Sequence, residues 1–312
     1  MTMSIITVCH NAESTLEKTI QQVLAQTYGP IEYIVVDGAS TDGTIALLNR
    51  YADQITHLIS EPDSGIYHAM NKGIAKATGD WIYFANADDY LLDSDVVSAV
   101  MAFVTDHPEC DFVYGNHETR HRSGESRIYE PAPPENMLSE LVYLGNCFIQ
   151  PASFFNAKLF EVLGPFCDRY NIAADYDWFV RLLAHPELTV CHYPHAIASY
   201  AQGGASSDIR ALFAEVFEIQ NRVPVYQQPE WLTRRMTILQ KEFVDKYARL
   251  EERHRAVVAR ERRIGELETR LDTLEAEAGE LAGQIAAMKT SKFWTLRERW
   301  FAVKRQLGLS AD

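Results

Sequence analysis

Three polar clusters hold the residue types that bind phosphorylated ligands and activate hydroxyls. The first is Asn86-Ala87-Asp88-Asp89, directly after the apolar run Trp81-Ile82-Tyr83-Phe84. Adjacent carboxylates repel unless they are hydrogen-bonded or neutralised by a cation. Their hard oxygens suit Mg²⁺ or Mn²⁺, which bridge protein carboxylates to phosphate oxygens. An Asp-Asp pair alone is weak, because turns often carry Asp. The second cluster, Asp37-Gly38-Ala39-Ser40-Thr41-Asp42-Gly43-Thr44, reads in isolation as a strand-to-helix turn with Ser40 or Asp42 as the cap. Functionally, Asp37 at a strand end could accept the imide N–H of a uracil. The third runs from Glu61 to Gly73 and places Asp63, Ser64 and Gly65 at a helix start. Such a start is ordinary, yet its free N–H groups also receive anions. Lys72 adds positive charge, and a diphosphate fits that combination.

These clusters need a frame that brings them together. Strand-like runs at Ile5–Val8, Tyr33–Val36, Ile55–Ser60 and Trp81–Phe84 alternate with helical spacing over Ser14–Gln26, Thr44–Tyr51 and Ile66–Ala77. This order predicts an α/β fold with a mostly parallel sheet flanked by helices. Ligands then sit at the carboxyl ends of the strands, where each polar cluster falls.

In that order, the Asp37–Thr44, Glu61–Tyr67 and Asn86–Asp89 motifs resemble the GT-A fold of family 2 inverting glycosyltransferases. The Ser64-Gly65-Ile66-Tyr67 and Ala69-Met70-Asn71-Lys72-Gly73 stretch is similar to the branch that builds bacterial cell-surface polysaccharides. The likeness covers roughly residues 3 to 210. It implies a hexosyltransferase-like enzyme that moves a sugar from a nucleotide-diphosphate sugar to an acceptor hydroxyl of a glycan or lipid-linked glycan. It also implies donor binding by Asp37, Asp63, Ser64, Gly65, Lys72, Asn86 and Asp88. A divalent metal, Mn²⁺ or Mg²⁺, would lie on Asp88 and Asp89, with Asn86 in the first place of the family's Asp-x-Asp element, where Asp is usual. Many members show Glu-Asp where this chain has Ala174-Asp175, so the general base carries over to Asp175. Residue spacing alone leaves Asp175 and Asp177 open, either as cap of the following helix or as base. Gln150 and Asp177 are expected on the acceptor side, with Ile149 where relatives often carry His. A lone His is more often structural, so His192 and His195 receive no role. Gly203-Gly204-Ala205-Ser206-Ser207 reads as a lid loop.

The formal net charge of −14 argues against nucleic acid as a partner. Five scattered cysteines, with no short spacing between any two, predict buried thiols in a reducing compartment. The first residues lack signal-peptide character, and no window reaches the ~20 apolar residues of a spanning helix. A cytoplasmic protein, peripheral at the inner membrane face, is therefore expected.

The expected divisions are a transferase domain over 1–222, a linker over 223–235, a coiled coil over 236–290 and a basic amphipathic tail over 291–312. Apolar residues recur at threes and fours from Phe243 to Val257 and from Ile264 to Met288, with a stammer-like step between Ile264 and Leu267. Residues 246–263 carry a net +4 and 265–283 a net −5, so an antiparallel homo-oligomer crossing near Ile264 is expected. A single helix folding back at Gly265 satisfies the same charges. Residues 289–305 carry a net +5 with Phe293, Trp294, Trp300 and Phe301 interleaved, so 289–307 is expected to contact a membrane surface. Two other functions compete. A sugar-phosphate nucleotidyltransferase needs a Gly-rich basic loop after the first strand, and Cys9-His10-Asn11-Ala12-Glu13 is not one. A coiled-coil scaffold with a decayed transferase domain would explain Asn86 but not the retained Asp88, Asp89 and Asp175.

Overall fold

The structure, a computed structural model, describes residues 1–121, 124–142, 147–201 and 208–307. Nine strands form one sheet: β1 (Met3–Cys9), β2 (Ile31–Asp37), β3 (His57–Ser60), β4 (Trp81–Phe84), β5 (Tyr90–Leu91), β6 (Phe112–Arg120), β7 (Ser126–Tyr129), β8 (Ser153–Asn156) and β9 (Val190–Ala201). Their order is β3-β2-β1-β4-β8-β6-β9-β5, with β7 paired to β6. The first four are mutually parallel, as the alternating pattern predicts, with Cys9 beside Asp37 and Asp37 beside Ser60. Beyond β4 the sheet is mixed: β8 runs antiparallel to β4 and β6, and β9 runs parallel to β6.

Eleven α-helices complete the described residues: α1 (Leu16–Leu24), α2 (Thr44–Arg50), α3 (Ile66–Ile74), α4 (Val96–Asp106), α5 (Met137–Val142), α6 (Lys158–Val162), α7 (Ala174–Leu183), α8 (Ile209–Arg222), α9 (Pro224–Gln227), α10 (Pro229–Thr290) and α11 (Lys292–Gln306). Successive strand residues face opposite sides. Ile6, Ile34, Ile82 and Phe84 therefore pack with α3, α7 and α8, while Ile5, Tyr33, Val35 and Tyr83 pack with α1, α2 and α4. Coverage on both faces is why these strands read as continuous apolar runs. Because β1, β2 and β4 are parallel, their carboxyl ends share one sheet edge, which gathers His10, Asp37 and Asn86.

Two expectations from the sequence are corrected by the structure. Cys110 and Cys191 form a disulfide, with Cα atoms 5.9 Å apart. They lie 81 residues apart in sequence, and the β6–β9 pairing, which spacing cannot reveal, brings them together. The stretch 223–235 is helical instead of a linker. Its anchor is Arg235, only 4% exposed, which donates to the Gln220 carbonyl and to Asn221 Oδ1 at the C-terminal end of α8. A cation there meets the last carbonyls and the negative pole of that helix. The compact unit accordingly runs from Met1 to Leu239, and a second begins at Gln240. In that second unit α10 continues unbroken through Gly265, so neither a fold-back nor a helix break at the stammer occurs.

Candidate active site

A cavity of about 440 Å³ opens between α3, the β4–β5 turn and the start of α7, lined by Tyr67, Asn86, Asp88, Asp89, Gln150 and Asp175 among others. The turn is tied down from several sides. Thr19 Oγ1 donates to the carbonyls of Asn86 and Asp89, and Arg120 donates to the carbonyl of Asp88 at 2.6 Å. The Lys18 ammonium lies 3.5 Å and the Arg120 guanidinium 4.1 Å from the centroid of the Tyr90 ring. Asn86 Nδ2 donates to Asp89 Oδ2 at 3.0 Å and to Gln150 Oε1 at 3.1 Å. Asp89 is buried, and desolvation with the neighbouring Asp88 charge pushes its pKa up to about 7.

Two oxygens remain for a cation. Asn86 Oδ1 is buried without a hydrogen-bond partner, and the Asp88 carboxylate borders the same cavity. A carbonyl and a carboxylate oxygen form a hard donor pair that fits Mg²⁺ or Mn²⁺, with phosphate and water completing the shell. Among the described residues, no group of three or more His, Cys, Asp or Glu side chains is placed to hold a metal ion. Asp89, expected as a second metal ligand, has its carboxylate taken up by Asn86 and the Ala201 N–H.

Across the cavity, Asp175 Oδ1 accepts from the Tyr67 hydroxyl and the Tyr176 N–H, each at 2.8 Å. Burial raises its pKa, with Tyr67 opposing. A carboxylate with raised proton affinity beside a ligand cavity is suited to general-base work. Asp177, expected on the acceptor side, lies two residues on, pairs with Arg181 at 3.0 Å and is not among the residues lining this cavity. Neither acid caps α7. The cap residue is Ala173, which offers no side-chain bond.

The other expected donor residues lie outside this cavity. Asp37 is fully buried, and its oxygens accept from Ser40 Oγ, Ser40 N–H and Ser60 Oγ. With the Cys9 thiol, 3.8 Å from Oδ1, these contacts join the carboxyl ends of β1, β2 and β3. Asp63 caps the Gly65 N–H at 3.0 Å. It also approaches Gly38 so closely that a Cβ there would stand 2.5 Å from Asp63 Oδ2. Ser64 contacts His68, and Gly65 opens α3 with φ of 134°, a conformation that favours glycine. Lys72 sits in the last turn of α3, held by Glu61 at 2.9 Å and the Pro62 carbonyl, so its charge is spent locally. His192 bonds Asn116 and stacks on Tyr114. The expected lid, 203–207, lies outside the described residues.

Sequence reasoning gave no role to Tyr67, Arg120 or Glu215. Tyr67 ends the Ser64-Gly65-Ile66-Tyr67 motif, and nothing in the sequence marks its hydroxyl as a partner of Asp175. Arg120 and Glu215 reach the site only through the β6–β9 pairing and α8, which leave no short-range signal.

The chain is similar to proteins already known. The family described as "Glycosyl transferase family 2" matches residues 4–164. A PGL/p-HBAD biosynthesis glycosyltransferase of Mycobacterium bovis is 33% identical over 213 residues, covering 66% of this chain and 79% of its own. An uncharacterized glycosyltransferase of Mycobacterium tuberculosis is 33% identical over 195 residues, covering 61% and 72%. Among solved structures, S. aureus TarS 1-349 with UDP-GlcNAc superposes with a TM-score of 0.56 at 16% identity, covering 76% of this chain and 73% of that one. The mannosyltransferase PcManGT from Pyrobaculum calidifontis, with GDP-Man and Mn²⁺, gives 0.51 at 19%, covering 78% and 75%. The fold is thus the GT-A glycosyltransferase fold followed by a long C-terminal helix. The chain belongs to glycosyl transferase family 2 and is a glycosyltransferase.

Proposed function

We propose that the chain transfers a sugar with inversion from a nucleotide-diphosphate sugar to a hydroxyl of a surface glycan or lipid-linked glycan. The supporting observation is a single cavity with the Asn86–Asp89 turn on one wall and Asp175 on the other. Asp175 takes the acceptor proton as its oxygen attacks the anomeric carbon, and the bond to the nucleoside diphosphate breaks on the opposite side. One base and one displacement give inversion. A divalent cation held by Asp88 and Asn86 Oδ1 would neutralise the leaving diphosphate. The Mn²⁺ and GDP-Man of PcManGT and the UDP-GlcNAc of TarS support a nucleotide-sugar donor with metal.

The second unit supports two further parts of this reading. The apolar stripe of α10, including Leu267, Leu271, Leu274 and Leu281, is exposed and suits pairing with a second copy. In α11, Phe293, Leu296 and Trp300 are exposed on a basic helix, which suits an anionic membrane surface. No helix among the described residues is long and apolar enough to cross a membrane.

The test incubates full-length protein with Mn²⁺ and either UDP-GlcNAc or GDP-mannose, with a glycolipid extract as acceptor. Nucleotide release should require metal and Asp88, and the product's anomeric configuration should be opposite to the donor's. Retention of configuration would reject the proposed single displacement.

A further inference from the structure

The segment that carries Asp175 is held by one side chain from a distant helix. Glu215, on the inward face of α8 with Val216 and Ile219, accepts three consecutive backbone N–H groups. Its Oε1 takes Asn171 N–H at 2.9 Å, and its Oε2 takes Ile172 N–H at 2.9 Å and Ala173 N–H at 2.8 Å. These residues immediately precede α7, whose own cap residue has no side chain to offer. Successive N–H groups converging on one anion form a nest, here filled by the protein's own carboxylate.

The hold continues to the reacting group. The Ile172 carbonyl lies 2.9 Å from the Tyr67 hydroxyl, and that hydroxyl lies 2.8 Å from Asp175 Oδ1. Tyr67 has one proton for these two acceptors. The position of the 171–173 backbone therefore governs how the hydroxyl is shared between Ile172 and Asp175. From the same helix, Gln220 donates to the Tyr176 hydroxyl at 2.8 Å, so α8 grips both flanks of Asp175.

We propose that Glu215 is the positioning residue for the general base, setting both the place of the Asp175 carboxylate and its affinity for a proton. This rests on the reading of Asp175 as the base. The groups that face Asp175 are Tyr67 from α3, Glu215 from α8 and the Cys147 thiol, with Asp88 and Asp89 sharing its cavity. The negative charge of Glu215 makes Asp175 and Tyr67 harder to ionise, in the same direction as burial. Glu215→Gln removes the charge and replaces an acceptor oxygen by a donor. Glu215→Asp keeps the charge but shortens the reach.

The experiment combines two readouts on full-length protein. A ¹³C-carboxyl NMR titration of Asp175, assigned by difference with Asp175→Asn, needs no substrate. Nucleotide release from UDP-GlcNAc or GDP-mannose with Mn²⁺ gives kcat, KM and the pH profile. Glu215→Gln should titrate Asp175 at lower pH, move the acidic limb the same way and lower kcat by about tenfold or more, with KM for the donor nearly unchanged. Glu215→Asp should lower kcat with the limb unmoved, and it tests positioning where the Gln variant fails to fold. Glu218→Gln, which frees only the surface pairs to Arg169 and Arg222, should match wild type. An unshifted Asp175 titration in Glu215→Gln, or an undiminished kcat in Glu215→Asp, overturns the proposal. Full turnover by Asp175→Asn instead sinks the base reading, whichever way Glu215 behaves in the titration.

Discussion

Asn86 Nδ2 donates two hydrogen bonds to neighbours that require a donor, Asp89 Oδ2 at 3.0 Å and Gln150 Oε1 at 3.1 Å. An Asp at this position could supply neither. The departure from the family's usual Asp therefore answers a local demand: a buried carboxylate with its pKa pushed up to about 7 needs a partner. Asn86→Asp would set two carboxylates against each other and remove the donor that Asp89 receives. Restoring the common motif should cost about 1–3 kcal/mol, the penalty for unsatisfied buried polar groups. Urea unfolding at pH 7 reads this directly, and an unchanged or raised midpoint would show that Asn86 has no such role.

Asp88 is the carboxylate of the turn that borders the cavity without being consumed by the fold, unlike Asp89. Asp88→Ala should abolish nucleotide release and remove the Mn²⁺-dependent part of donor binding, measured by calorimetry. Asp89→Asn should chiefly alter stability. Wild-type turnover in EDTA would refute the metal assignment.

Asp175 and Asp177 should separate cleanly. Asp175→Asn is expected to keep donor binding and lose transfer by roughly 10²–10⁴-fold, the usual worth of acid–base help. Asp177→Asn breaks the Arg181 pair and should leave the chemistry intact. A pH signature accompanies the first variant. Burial raises the folded-state pKa of Asp175, so its contribution is complete below the ordinary carboxyl pKa and is lost as pH rises through the folded value. Asp175→Asn, which cannot ionise, should gain stability relative to wild type as pH rises above the ordinary carboxyl range, about 3.9. A difference that stays constant at every pH from below that range upward would contradict the buried, raised carboxyl.

The parallel half of the sheet was legible because apolar runs and helical spacing alternate locally, and the strand-end rule then places Asn86–Asp89 and Asp37 on one edge. What the edge does with each residue was not legible. Asp37 turned inward because Ser40 and Ser60 surround it, and Lys72 was claimed by Glu61 eleven residues earlier. The mixed half of the sheet was hidden for a different reason. The β6–β9 pairing joins segments some eighty residues apart, so the Cys110–Cys191 bond and the Arg120 clamp on Asp88 have no short-range pattern. Arg235 likewise gains its place only from the α8 carbonyl it reaches fifteen residues back.

The C-terminal helix α11 should bind anionic vesicles. Its exposed Phe293, Leu296 and Trp300 can enter the headgroup region while Lys292, Arg299 and Lys304 meet the lipid charge. Truncation after Met288 should abolish flotation with phosphatidylglycerol vesicles, and 0.5 M salt (about a 4 Å Debye length, by interpolation) should weaken it. Undiminished flotation of the truncated chain would place the membrane contact elsewhere.

Two copies of α10 should pair antiparallel about Ile264. The helix is continuous from Pro229 to Thr290, and beyond Gln240 its apolar stripe stays exposed, Ile264 at 54% and Leu274 at 50%. An antiparallel crossing sets the basic block 246–263 against the acidic block 265–283 of the other copy. A parallel in-register pair would set each block against its own sign, which is unfavourable at the flanking positions. Spin labels at Glu251→Cys and Glu277→Cys, in a Cys147→Ser, Cys167→Ser background, decide between them. Antiparallel pairing makes the 251–277 distance between copies short. It separates the two labels at 251 by roughly 40 Å along the axis, at about 1.5 Å per residue. Short like-to-like distances at both positions would establish the parallel pair, and a monomer at all concentrations would remove the coiled coil altogether.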